Sequence, residues 1–173
     1  MMGAGKSSVG RCLHRRTGLA LHDTDEIVAS KFGMSIPEIF AEHGEEKFRK
    51  AETEALRRVG TEEQTIIITG GGIVLRKENV EILRSRAVLV WLDGEEQTLF
   101  ARASQKQNRP LLQMKNPRKT FSQILGVRRP LYANIADIRV DTSVLTDEEV
   151  AVAILAKLWR MNPKPESRIP AKA

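Results

Sequence analysis

The sequence predicts an α/β fold with a parallel sheet, and three observations carry that expectation. Short β-branched apolar runs alternate along the chain with longer segments of helical period. A glycine-rich turn, Gly3-Ala4-Gly5, opens directly into one of those helical segments. The length of 173 residues, with 41% hydrophobic and 29% charged content, suffices for one domain that buries a sizeable core.

Each element follows from local pattern. Lys6 to Thr17 reads as a helix with Val9 and Leu13 inward and Gly18 at its end, and Leu19 to His22 as a short strand delivering Asp23 and Asp25 at its C-terminal edge. Thr24 to Phe32 and Ile36 to His43 are two short helices. The first stops at Gly33; the second opens on a Ser35…Glu38 capping box with Pro37 in its first turn and ends at Gly44. Glu45 to Val59 places Phe48, Ala51, Ala55, Leu56 and Val59 at helical spacing, an amphipathic helix stopped by Gly60. Thr65 to Thr69 is a strand that runs into Gly70, Gly71 and Gly72, where the backbone must turn sharply or let something approach closely. Asn79 to Ser85 is helical, Val88 to Leu92 a buried strand, and Glu95 to Gln105 helical again. A helix from Arg118 to about Asn134, a strand Ile138 to Asp141 and a helix Asp147 to Arg160 complete the pattern.

Composition narrows the function classes. A single cysteine, Cys12, leaves no internal disulfide framework, and His14, His22 and His43 show no metal-ligand spacing. The longest apolar runs fall far short of the roughly 20 residues needed to span a bilayer, and no signal-peptide pattern opens the chain, so a cytoplasmic protein without a membrane partner is expected. The net charge is +6, and half of that surplus lies in residues 160–173, a basic, proline-containing tail. Arg102 to Lys119 carries six basic residues and no acid, so a polyanion should sit near it. Nucleic acid is not the expected one, because the eight aromatics are scattered and no nucleic-acid motif is present. The stretch 106–117, punctuated by Pro110 and Pro117, reads as a lid or binding loop.

The chemistry concentrates in a few places. Gly3, Ala4, Gly5, Lys6 and Ser7 match the end of a P-loop, in which backbone amides cradle phosphates at a helix N-terminus, Lys6 reaches the β and γ phosphates and Ser7 ligates Mg²⁺. The alternative is a glycine-rich N-terminal coil, since the first glycine of the motif and the strand that feeds it would lie before Met1. Asp23 and Asp25 can both face the crevice at the carboxyl edge of the sheet, or can form a helix N-cap pair. Arg49 and Glu52, three apart on one helix, permit a salt bridge, most often a solvated surface pair.

The motifs GAGKSSVGR, HDTD, SIPEIF with GEEKFRKAE, TGGG, RPLL and RRPLY occur together in the order and spacing of one family. Over Met2 to Leu158 the chain resembles shikimate kinase. The resemblance implies a P-loop NTPase-type three-layer sandwich over residues 1–160, and phosphorylation of the 3-hydroxyl of shikimate by ATP with Mg²⁺. It implies that Asp25 holds the ring hydroxyls and accepts the proton, that Asp23 lies near Mg²⁺, that Arg49 and Arg128 bind the carboxylate, and that Glu52 orients Arg49. Gly71 and Gly72 would meet the substrate through their amides. Gly3 through Ser8, including Lys6, Ser7 and Ser8, would hold ATP, with Arg102 against adenine and Arg109 closing over the phosphates. A monomer is expected. The family sheet has five strands ordered 2-3-1-4-5, of which four are found here, so a further apolar strand upstream of Met1 is expected. Two other readings stay open: a different small-molecule P-loop kinase of the gluconate kinase type, and a non-catalytic binding relative.

Overall fold

The computed structural model describes residues 1–59, 64–105 and 115–161. In chain order the elements are α1 (Lys6–Thr17), β1 (Ala20–Asp23), α2 (Thr24–Phe32), α3 (Ile36–Val59), β2 (Thr65–Ile68), a 3₁₀ turn (Ile73–Leu75), α4 (Lys77–Arg86), β3 (Val90–Asp93), α5 (Glu96–Ser104), α6 (Pro117–Ile135), β4 (Ile138–Asp141) and α7 (Asp147–Met161). This is the α/β alternation that the sequence predicts. The stop at Gly60, the stretch 106–114 and the tail from residue 162 lie outside the described residues.

Departures from the expected boundaries have local causes. The expected strand at Val88 begins two residues later, at Val90. The Ala87 amide still belongs to α4, donating to the Leu83 carbonyl at 3.0 Å, and β4 first engages this strand at the Leu89 carbonyl, which accepts from Asp137 and Ile138 at 2.9 and 3.1 Å. The two helices expected on either side of Gly44 are both present, and they abut at a kink on Gly44 itself, at φ 76°, ψ 166°, with no loop between them; together they make α3. That backbone state is essentially restricted to glycine, so the chain turns there while both arms stay helical. The Ser35…Glu38 capping box is present, the Ser35 amide donating to Glu38 Oε2 at 2.8 Å.

Among the described residues four strands form two parallel pairs. In the first, Ala20 lies opposite Thr65 and Asp23 opposite Ile68; in the second, Val90 lies opposite Ile138 and Asp93 opposite Asp141. Between the two pairs lies a mainly apolar pocket of about 600 Å³, partly open to solvent, walled by Ile66 and Ile67 of β2 and by Trp91 and Leu92 of β3, with Met1 and Lys6 among its lining. One core gathers Val9, Leu99, Phe121, Leu125, Val140 and Ile154. A second, smaller core of Val28, Ile39, Phe48, Ala51 and Ala55 joins α2 to α3. It holds the arm of α3 that carries Arg49 and Glu52 beside the ends of β1 and β2.

Candidate active site

The glycine-rich turn is folded tightly. Gly3 has φ 76° and sits so close to α5 that a Cβ there would lie 2.0 Å from the Leu99 carbonyl oxygen; Gly5, at φ 80°, is the N-cap of α1. Ala4 is buried beside them. Both glycines are required, one by packing and both by the left-handed backbone. The turn leaves the amides at the start of α1 without a side-chain cap, an anion-binding arrangement. Lys6 bends back over the turn, its Nζ donating to the Met1 carbonyl at 3.0 Å. Ser8, one residue further along α1, accepts from Arg11 at 3.4 Å.

Asp23 proves to be both an N-cap and a neighbour of the P-loop. Its Oδ1 accepts from the Asp25 amide at 2.9 Å, capping α2, while Ser7 Oγ lies 3.5 Å from its Oδ2. A hydroxyl and a carboxylate oxygen side by side, next to helix amides that no side chain caps, suit a hard cation that keeps most of its ligands as water and phosphate, which is how Mg²⁺ binds. Among the described residues no cluster of three or more His, Cys, Asp or Glu could hold a metal ion by itself.

The second half of the site converges on the glycine triplet after β2. A Cβ on Gly70 would lie 2.7 Å from both Asp25 Oδ1 and Glu52 Oε1, and one on Gly72 would lie 2.4 Å from both terminal nitrogens of Arg49. A methyl at either position would displace a charged group, so the triplet provides the room in which two carboxylates and a guanidinium meet. Arg49 donates from Nη1 to Glu52 Oε2 at 2.8 Å, and from Nε and Nη2 to Glu45 Oε1 at 3.2 and 3.1 Å. The pair expected to be solvated is in fact buried, Glu52 fully and Arg49 with 8% exposure. Arg128, also buried, approaches from α6: its Nη1 would be 3.6 Å from a Cβ on Gly71. Tyr132, one turn further on α6, donates its hydroxyl to the Gly71 carbonyl and so ties the triplet to the helix that carries Arg128.

Electrostatics mark this corner as strained. Burial, then the neighbouring Asp23 and Glu52 carboxylates, push the Asp25 carboxyl up to about 6, against the pull of Lys6 and Arg49. Burial likewise raises Glu52, opposed by Arg49 and Arg128. One oxygen of each carboxyl, Asp25 Oδ1 and Glu52 Oε1, is buried with no hydrogen-bond partner. Two such acceptors, aimed together, call for hydroxyl or water donors.

Arg102 sits on α5 with its guanidinium held by the Thr142 and Ser143 carbonyls, at 2.8 and 3.4 Å. Arg109 and most of the expected lid, 106–117, lie outside the described residues. Tyr132 and Glu45 join the site without having been given a role from the sequence, and Gly70, expected only to turn the chain or admit a close approach, joins it too. Tyr132 ends the RRPLY motif and Gly70 begins the triplet, so their signals were present; Glu45, four residues before Arg49, carried the i,i+4 signal.

Comparison with known proteins follows the same lines. The sequence model of the family described as "Shikimate kinase" matches residues 2–159. A shikimate kinase of Thermodesulfovibrio yellowstonii is 40% identical over 161 residues, 93% of this chain and 92% of that protein. The structure of shikimate kinase from Acinetobacter baumannii in complex with shikimate superposes with a TM-score of 0.90 at 34% identity, covering 94% of this chain and 91% of that one. The Aquifex aeolicus shikimate kinase structure gives a TM-score of 0.82 at 34% identity, covering 95% and 96%.

Proposed function

The chain belongs to the shikimate kinase family, and from that premise we propose how its residues divide the work. The reaction is the ATP-dependent phosphorylation of the 3-hydroxyl of shikimate to shikimate 3-phosphate, a step of chorismate and aromatic amino acid biosynthesis. One observation carries the assignment of roles: Asp25, Glu52, Arg49 and Arg128 converge on Gly70 to Gly72, a pocket with cations for a carboxylate and unpartnered acceptors for hydroxyls.

In this reading Arg49 and Arg128 grip the substrate carboxylate by charge-assisted hydrogen bonds, and the buried Glu52 fixes the guanidinium of Arg49. Gly71 and Gly72 present backbone amides to the substrate. Asp25 accepts a hydrogen bond from the 3-hydroxyl and takes its proton as the oxygen attacks the γ-phosphorus and the bond to the β,γ-bridging oxygen breaks, releasing ADP; burial makes Asp25 a better base than an ordinary aspartate. Gly3, Ala4, Gly5 and Ser8 frame the triphosphate, and Lys6, released from the Met1 carbonyl, reaches its β and γ oxygens. Ser7 and Asp23 hold Mg²⁺, whose role when bound is to neutralise charge on the phosphates. Arg102 lies against adenine, and Arg109 closes over the transferring group and helps exclude water. The proposal also takes the enzyme as a cytoplasmic monomer that acts on two small anions rather than on nucleic acid or membrane. Among the described residues no helix is long and apolar enough to cross a membrane. Size-exclusion chromatography tests the oligomeric state.

The assignment is tested by Arg49→Ala. Loss of a charge-assisted contact worth about 1.5 to 3 kcal/mol is expected to weaken shikimate binding roughly 10- to 100-fold and to leave the KM for ATP nearly unchanged. Unaltered shikimate binding would remove Arg49 from the site.

A further inference from the structure

We propose that Asp93, at the end of β3 and outside the substrate pocket, is a positioning residue for shikimate: by clamping Arg129 it fixes the turn of α6 on which Arg128 stands. The inference rests on the reading of Arg128 as a carboxylate-binding residue.

Asp93 is fully buried, and both of its oxygens are committed. Oδ1 accepts from Arg129 Nε and Nη2 at 3.2 and 3.0 Å, and Oδ2 accepts from Arg139 Nη2 at 2.7 Å. Arg129 Nη2 donates again to the Gly94 carbonyl at 2.7 Å, so its guanidinium grips the side chain of one residue and the backbone of the next. Consecutive helical residues point about 100° apart, so Arg128 and Arg129 face different neighbours. Arg128 faces Gly71 and Tyr132; Arg129 faces the end of β3.

The helix needs an outside anchor at this turn. Pro130 stands inside α6 and has no amide to donate to the carbonyl four residues back, which belongs to Gly126. Glycine and proline in that relation remove one backbone hydrogen bond and stiffness from the turn that carries Arg128. The Asp93–Arg129 contact spans the same turn from outside. Arg139 reaches the same carboxylate from β4 and stacks over Trp91 at 4.9 Å, but it is not on α6. The two arginines therefore differ in the single respect that matters: both neutralise Asp93, and one of them transmits its position to Arg128.

The experiment compares Arg129→Ala with Arg139→Ala, each of which leaves the buried Asp93 carboxylate one arginine partner. Steady-state KM for shikimate and for ATP, kcat and Tm are measured for both. Arg129→Ala is expected to raise the KM for shikimate about tenfold with the KM for ATP within about twofold, since small misplacements of a binding group are costly. Arg139→Ala is expected to keep the KM for shikimate within about twofold, although Tm falls in both. Equal shifts in the two variants, or an unchanged KM for shikimate in Arg129→Ala, would overturn the inference. Arg128→Ala is measured alongside. A KM for shikimate that rises in Arg128→Ala but not in Arg129→Ala defeats the positioning role alone, whereas no rise in Arg128→Ala defeats the reading of the site beneath it.

Discussion

Asp25 shows what a functional carboxylate costs the fold. Its carboxyl titrates near 6 in the folded protein instead of near 3.8, so the folded state binds that proton more tightly than the unfolded chain does. The associated stability is fully present below pH 4 and is lost as pH rises through 6. Asp25→Asn is therefore expected to raise Tm at pH 8, by the equivalent of about 1 to 3 kcal/mol, and to have no such effect near pH 4. The same substitution is expected to lower kcat by about 10²- to 10⁴-fold, because the amide cannot take a proton. In the unchanged enzyme kcat/KM for shikimate is expected to rise with pH through about 6 and then level off. A flat profile between pH 5 and 8 would mean that Asp25 does not act as a base. Arg49 carries the complementary lesson. Removing it leaves Glu52 buried without its cation, so Arg49→Ala is expected to destabilise by about 3 to 5 kcal/mol, and Arg49→Ala with Glu52→Gln to recover much of that stability but none of the shikimate affinity. Thermal melts and KM values of the single and double variants check both halves.

At the scale of elements, the positions read well from sequence are those where local chemistry is decisive. Lys6–Thr17 begins and ends as glycine punctuation requires, and the capping box at Ser35 starts α3 where expected. The break at Gly44 between two helices was legible, but not that the two abut there without a loop, because only the shared core with α2 keeps the two arms together. The Arg49–Glu52 pair was legible by spacing alone. Its burial depends on Gly70 and Gly72, some 20 residues away, which no local pattern reports. Asp93 was invisible for the same reason, since its partners lie 36 and 46 residues further along the chain. Gly44→Ala is expected to cost about 1 to 3 kcal/mol, since a Cβ there forces a strained backbone, and to raise the KM for shikimate by swinging the arm that bears Arg49. A loss of Tm with no change in that KM would show that the two arms move independently.

At the scale of the whole molecule, the two strand pairs face each other across an apolar pocket of about 600 Å³ that is partly open to solvent. Apolar surface that water reaches is where amphiphilic molecules gather. Its consequence is optical. The dye anilinonaphthalene sulfonate is expected to enter the pocket and brighten even though the protein is folded, with Trp91 at the wall passing excitation to it. Trp91→Phe is expected to remove most of that tryptophan-sensitised emission. Dye emission absent from the folded protein, or unchanged in Trp91→Phe, would mean that the pocket does not admit solutes beside β3.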